Sequence, residues 1–551
     1  MDFEKFEYWK NNAADRQVAD WLNQMESDAA RKRYAFLTSL SFGTAGLRGI
    51  MEGGINCMNV YTVVRATKGL ADYVNSGGGE KSAVISYDSR HNSKKFAQAA
   101  ASVLANSGLK VFLTENIEPT PYLSFAVRQL KANCGIMVTA SHNGKEYNGY
   151  KVYNEKGIQI NEEQAAALAE IIKKINPFKV EYQNFENLLS GGKIQFIGKE
   201  ITEKYLKAVQ NQSSESAQGL NVVYSPLNGC GYLLVPKILK DNGARVALVS
   251  TQSFPSGDFT TCPNPNPERE DALKEGTALL LEKNYDILLA TDPDCDRVGV
   301  VALKNGEPIR LSGNEVGVLL LDYLLQIKKR KGTLTKTPVV VKTIVTTNLV
   351  NKVAEGYGAV TVDLLTGFKY IGEYVDKLGQ AGREKDFVLG FEESCGYLTG
   401  NYCGDKDGVL ACMLIAQMAA FYKEKSLTLT DRLNAIYLKY KRHAANLFTL
   451  RFSGAEGEEK RLASMAKLRQ SKIVSMAGLK LAGNEDLFVD GGKLPKSDVL
   501  IFTLEEDVKI IVRPSGTEPL IKFYMFARGD AKTTNALFKN LEECFDNFLR
   551  Q

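Results

Sequence analysis

The sequence is poor in several of the residues and patterns that mark common protein classes. It has three histidines in 551 residues, and its nine cysteines include no C-x-x-C pair. Few imidazoles and no paired thiols leave little for a zinc site. Scattered thiols fit a reduced, cytoplasmic chain better than a disulfide framework. No run approaches the roughly 20 apolar residues that a membrane-spanning helix needs. The segment Met1-Asp2-Phe3-Glu4-Lys5-Phe6-Glu7 is charged at once, so no secretory signal is visible. Neither charge sign dominates, with 69 Lys and Arg against 64 Asp and Glu and a net charge of +5. That balance gives no footprint for nucleic acid. The one dense basic run, Lys328-Lys329-Arg330-Lys331, reads as a solvated helix end.

What is present is a large soluble chain. Hydrophobic residues make up 44% and charged residues 24%, which excludes a disordered or fibrous protein. At roughly 150 residues per domain, the length predicts about three or four domains. Strand-like runs alternate with helical ones through most of the chain. They include Ala83 to Tyr87, Lys110 to Leu113, Cys134 to Val138, Asn221 to Tyr224, Arg245 to Leu248 and Ile287 to Leu289. The pattern returns at Val339 to Val341, Val360 to Val362 and Phe387 to Leu389. Such alternation predicts α/β units with largely parallel pairing. The last hundred residues differ. Strands at 502–504, 508–512 and 520–526, then a helix over 533–548, predict a smaller α+β domain.

Four loops carry chemistry. Thr291-Asp292-Pro293-Asp294-Cys295-Asp296-Arg297 lies between two apolar runs and sets three carboxylates at alternate positions. Their mutual repulsion can be relieved in a solvated acidic turn, or better by a hard divalent cation on converging oxygens. The loop starts like an EF-hand. It has Arg297 and Leu303 where that motif needs Gly and Glu, so calcium sensing is excluded. Cys295 reads as a small filler and not a ligand. Thr139-Ala140-Ser141-His142-Asn143-Gly144 offers a hydroxyl beside an imidazole, with Asn148-Gly149 turn chemistry and Lys151 following. Arg513-Pro514-Ser515-Gly516-Thr517-Glu518-Pro519 has the guanidinium, hydroxyls and Gly of a phosphate nest, or is simply a hairpin connection. Phe391-Glu392-Glu393-Ser394-Cys395-Gly396-Tyr397 suits sugar hydroxyls; taken alone, it reads as an acid-rich helix N-terminus. Phe42 to Gly49 is Gly-rich with one Arg, but lacks the G-K-[ST] of a Walker A loop.

Taken in order, T-A-S-H-N at 139–143, D-P-D-C-D-R at 292–297, F-E-E-S-C-G-Y at 391–397 and R-P-S-G-T-E-P at 513–519 resemble the α-D-phosphohexomutase family, which includes phosphoglucomutases and phosphomannomutases. F-G-T-A-G-L-R-G at 42–49, Tyr87-Asp88-Ser89-Arg90 and Pro119-Thr120-Pro121 extend the likeness over nearly the whole chain. The D-P-D-x-D-R form is most similar to the phosphoglucomutase–phosphopentomutase branch, which also holds a glucose bisphosphate synthase. The resemblance implies an α/β protein of four-domain phosphohexomutase architecture, three similar α/β domains plus a smaller C-terminal α+β domain around a central cleft. The expected domains are 1–210, 211–312, 313–441 and 442–551, each bringing one principal loop.

The same resemblance implies a phosphoserine at Ser141 and Mg²⁺ held by Ser141, Asp292, Asp294 and Asp296. It places Arg48, His142, Lys151 and Arg297 around the reacting phosphate. Glu392 and Ser394 fall at sugar contacts, Lys342, Thr366 and Gly367 in the cleft, and Arg513, Ser515, Gly516 and Thr517 on the non-transferred phosphate. Lys151 is the first choice of acid/base, with a lowered pKa if it is desolvated among cations, and His142 the second. The implied reaction interconverts glucose 1-phosphate and glucose 6-phosphate through glucose 1,6-bisphosphate. The implied protein takes a small phosphosugar, touches no nucleic acid or membrane, and is a monomer or weak homodimer. Phosphopentomutase, phosphomannomutase and glucose-1,6-bisphosphate synthase activities remain alternatives on the same site. A metal-dependent sugar phosphatase is the alternative from another class.

Overall fold

A computed structural model describes residues 2–43, 46–452, 457–471, 473–489, 494–515 and 520–550. These fall into two compact units, one of residues 1–338 and 368–430, the other of 339–367 and 431–551.

The first unit holds two mixed sheets. Six strands lie in the order Leu47–Ile50, Tyr147–Asn154, Cys134–Val138, Ser82–Tyr87, Lys110–Thr114, Ile194–Ile197. The first three pair antiparallel and the rest parallel. Cys134–Val138 is buried at every position, as a strand covered on both faces must be. Asn148-Gly149, expected to make a turn, lies inside the strand Tyr147–Asn154. Gly149 is there for close approach: a Cβ would sit 2.4 Å from the Thr139 carbonyl oxygen and 2.8 Å from that of Leu47. The second sheet runs Glu307–Leu311, Val298–Lys304, Ile287–Thr291, Asn221–Ser225, Arg245–Leu248. The turn between Ile287–Thr291 and its antiparallel partner Val298–Lys304 is the acidic loop.

Helices start where side chains satisfy their free backbone N–H groups. Asn59 forms a capping box with Thr62 before Val60–Asn75. Ser312 and Glu315 form another before Gly313–Arg330, whose last turn carries Lys328, Lys329 and Arg330. Lys329 and Arg330 are exposed, as expected of a solvated basic end, but Lys328 is half-buried. Asp407 caps Gly408–Lys423, a helix buried along most of its length. Phe387–Glu392 and Gly396–Leu398 form an antiparallel pair, so residues 393–395 are a tight strand connection and not a helix N-terminus.

In the second unit, Val339–Thr343 runs parallel to Val360–Leu364. A six-stranded antiparallel sheet follows, in the order His443–Arg451, Leu520–Arg528, Val508–Pro514, Leu500–Leu504, Leu479–Asp486, Ser475–Met476. Phe538, Leu541 and Phe545 of the helix Ala531–Arg550 pack with Phe502 and Phe523 in its core. This is the α+β arrangement expected of the last hundred residues.

Candidate active site

The site in the first unit is assembled from strand ends. Ser141 follows Cys134–Val138, the acidic loop follows Ile287–Thr291, and Lys151 lies within Tyr147–Asn154. Ser141 and Cys295 both have φ of +52°, a region a side-chain-bearing residue enters only when its surroundings hold it there. The Ser141 loop is held by Arg90. Its guanidinium, 3% exposed, donates to the carbonyls of Ser141, Asn143, Gly144 and Tyr147 and pairs with buried Asp88 at 3.2 Å. The Ser141 amide donates to the Thr139 hydroxyl at 2.8 Å, which fixes the serine backbone from the other side.

This loop presents the Ser141 hydroxyl to the acidic cluster. Its Oγ donates to Asp292 Oδ2 at 2.8 Å and lies 3.4 Å from His142 Nδ1. Asp292, Asp294 and Asp296 are 0–1% exposed, and one oxygen from each falls within 4.8 Å of the others. Burial excludes the solvated acidic turn. The loop folds around Asp292, whose Oδ1 accepts from the Asp296 and Arg297 amides at 3.1 and 3.0 Å. Asp294 Oδ1 and Asp296 Oδ1 are buried and have no hydrogen-bond partner among the described residues. Buried carboxylate oxygens without partners are costly, and a shared cation is the natural way to satisfy them. The donor set, all oxygen and strongly anionic, fits a hard divalent metal.

Cations crowd the same cluster. Lys151 Nζ lies 2.7 Å from Asp294 Oδ2 and 3.5 Å from Asp296 Oδ2. Lys406 Nζ lies 3.0 Å from Asp296 Oδ2 and 3.3 Å from Asp405 Oδ1. Arg297 faces Glu268 at 3.3 Å and Asp296 at 3.7 Å. The Thr120 hydroxyl donates to Asp294 Oδ2 at 2.7 Å, giving Pro119-Thr120-Pro121 a role in fixing the loop. Burial opposes the charge on Lys151, but Asp294 and Asp296 outweigh it and hold the ammonium above its ordinary value. The expected lowering of the Lys151 pKa is therefore reversed, because Asp294 and Asp296 outweigh both burial and the nearby Lys406. Burial, then repulsion from Asp294 and Asp296, pushes Asp292 well above the usual carboxylate range. Burial opposes ionisation of Asp294 too, yet Lys151 holds it below that range.

The other expected residues divide between the units. Arg48, on the strand paired with Tyr147–Asn154, reaches Asn143 Oδ1 at 3.3 Å. Glu392 is buried at the end of its strand; burial opposes the charges on Arg297 and Lys406, Asp296 leads the carboxylates that outweigh it, and Glu392 adds to them. Ser394 lies in the connection that follows, with Cys395 buried beside it. In the second unit, Lys342 is fully buried and pairs with Asp363 Oδ1 at 2.8 Å across the parallel strands. The Thr366 hydroxyl is buried without a hydrogen-bond partner among the described residues, and Gly367 has φ of +125°. Arg513 stands in the strand Val508–Pro514, and the Ser515 amide donates to the Leu520 carbonyl at 2.9 Å. Gly516 and Thr517 lie outside the described residues.

Sequence reasoning missed Lys406. The signal was Gly404-Asp405-Lys406-Asp407-Gly408 at the mouth of a long apolar run. Its two acids have separate tasks: Asp405 accepts from the Tyr153 hydroxyl at 2.7 Å, while Asp407 caps the helix and accepts from Tyr205 at 2.8 Å. Lys406 is thereby held against the Asp296 carboxylate.

Comparison with known proteins finds relatives along nearly the whole chain. Models of the phosphoglucomutase/phosphomannomutase family match the chain in four successive parts. Alpha/beta/alpha domains I, II and III match residues 39–178, 203–306 and 312–440, and the C-terminal domain matches 458–543. A phosphoglucomutase of Staphylococcus saprophyticus is 34% identical over 531 residues, covering 94% of this chain and 95% of its own. One from Staphylococcus epidermidis is 35% identical over 535 residues, with the same coverage. Among solved structures, a Thermus thermophilus protein provisionally assigned as a phosphomannomutase superposes with a TM-score of 0.70 at 24% identity. It covers 93% of this chain and 100% of its own.

Proposed function

The chain belongs to the phosphoglucomutase/phosphomannomutase family, and on that premise we propose that it interconverts glucose 1-phosphate and glucose 6-phosphate through a phosphoserine at Ser141. The observation that carries the reading is the 2.8 Å contact of Ser141 Oγ with Asp292, inside a buried cluster of three carboxylates and two lysines. Asp292, Asp294, Asp296 and a Ser141 oxygen would hold a Mg²⁺, whose charge offsets that on the phosphoryl oxygens.

The chain's own residues account for the rest. In the forward half, the bond from phosphorus to Ser141 Oγ breaks and one from phosphorus to the free sugar hydroxyl forms. The hydroxyl loses its proton, and Ser141 Oγ regains one. The second half reverses these events at the other phosphate, so no free phosphate leaves. His142, 3.4 Å from Ser141 Oγ, is placed to exchange that proton. Lys151, Lys406, Arg297 and Arg48 supply the positive field that phosphoryl transfer requires. Glu392 and Ser394 suit the sugar hydroxyls, and Arg513 with Ser515 suits the phosphate that is not transferred. Glucose 1,6-bisphosphate is the intermediate and the primer that loads Ser141.

Comparing kcat/KM on glucose, mannose and ribose 1-phosphates, with free phosphate measured alongside, tests the proposal. Glucose 1-phosphate is expected to be the best substrate, with almost no phosphate released. A far higher rate on ribose 1-phosphate overturns the sugar assignment, and stoichiometric phosphate release overturns the mutase.

A further inference from the structure

A second cavity lies in the first unit, apart from every residue assigned to phosphoryl transfer. It has a volume of about 710 Å³ and is walled by residues 211–214, the C-terminal half of the helix Gly313–Arg330, the start of the strand Phe387–Glu392, and Thr399 to Asn401. Gly400 shapes one side. Its φ of +72° is a backbone conformation that favours glycine, and the Gln212 side chain packs against it.

The wall carries three lysines and one carboxylate, Glu384. Lys331 is compensated by Glu215 at 3.0 Å. Lys328 and Lys385 have no ion-pair partner among the described residues. Burial with no acid to offset it pushes Lys328 below the ordinary lysine value. A half-buried ammonium without a counter-charge is a cost that a bound anion would remove. Ile327 and Phe387 give the wall an apolar part as well. The volume is far beyond the roughly 30 Å³ that one water occupies, and lies within the range of sites that hold whole small molecules.

We propose that this cavity is a second binding site, taking a small phosphomonoester whose phosphate is held by Lys328 and Lys385 and whose organic part rests on the apolar wall. The site is separate from the mutase centre, so its ligand need not be a substrate.

The test uses adenosine 5′-monophosphate as the probe, titrated calorimetrically into the full chain, with inorganic phosphate as a second arm. Saturable one-to-one binding is expected, with inorganic phosphate competing more weakly because it lacks the organic part. Lys328→Gln and Lys385→Gln should each weaken the nucleotide by about tenfold, the loss of one charge-assisted contact. Both variants should retain turnover of glucose 1-phosphate, and Ser141→Ala should bind the nucleotide as the unaltered protein does. Absence of saturable binding overturns the proposal. So does binding that ignores both lysine substitutions, or binding lost on Ser141→Ala, which would place the nucleotide in the mutase centre.

Discussion

Gly149→Ala is the smallest change that should disarm the centre without touching a functional group. The added Cβ would lie 2.4 Å from the Thr139 carbonyl oxygen and 2.8 Å from that of Leu47, where ordinary contact begins near 3.4 Å. Relief therefore requires the Thr139 oxygen to retreat by 3.4 − 2.4 = 1.0 Å and the Leu47 oxygen by 3.4 − 2.8 = 0.6 Å. Neither is the end of a flexible side chain. Thr139 bonds the Gly149 carbonyl through its amide at 3.1 Å and the Ser141 amide through its hydroxyl at 2.8 Å. Leu47 precedes Arg48. The strain thus passes to the serine and the arginine together. Overpacking of this kind costs about 1–3 kcal/mol of stability. A misplacement near 1 Å of the reacting group costs about a hundredfold in rate. The assay is kcat/KM for glucose 1-phosphate, coupled to oxidation of the product, beside a thermal melt. A folded variant with kcat/KM within about threefold of the unaltered protein would refute the reasoning that backbone approach at Gly149 places Ser141.

Other outcomes follow from the same geometry. Arg90→Met should destabilise by about 3–5 kcal/mol, because Asp88 is left buried and unpaired. Adding Asp88→Asn should restore part of that loss in urea unfolding, whereas strictly additive effects would remove the pair from the account. Burial pushes Glu118 up to about 8 from 4.5, so the folded protein keeps a proton that the unfolded chain releases. Stability should then fall as pH rises from about 4.5 to about 8, and Glu118→Gln should flatten that slope in pH-dependent melts. Asp294→Asn should abolish calorimetric Mg²⁺ binding and lower turnover by at least about a hundredfold, since even groups supporting a metal ligand cost up to that much. Unchanged metal affinity would contradict the assignment of the cluster.

Residues whose chemistry is local were legible in the sequence. The alternate acids at 292, 294 and 296 announced a carboxylate cluster suited to a metal, and strands such as Cys134–Val138 and Phe387–Glu392 were visible as apolar runs. Residues whose meaning depends on partners far along the chain were not. Asn148-Gly149 has the chemistry of a turn, and only the carbonyls of Thr139 and Leu47 on either side show that its glycine serves close packing. Lys151 drew an expectation of a lowered pKa because its carboxylate partners lie more than a hundred residues away. Arg90 and Lys406 act through carbonyls and carboxylates brought together by folding, so the short motifs that contain them do not reveal their roles.

The central claim is that Ser141 carries the phosphoryl group between substrates. Mass spectrometry of the protein after incubation with glucose 1,6-bisphosphate should place one phosphate on the Ser141 peptide. A single turnover with glucose 1-phosphate should move that phosphate into the sugar. Full mutase turnover by Ser141→Ala, or by a protein whose Ser141 is never modified, would contradict the account.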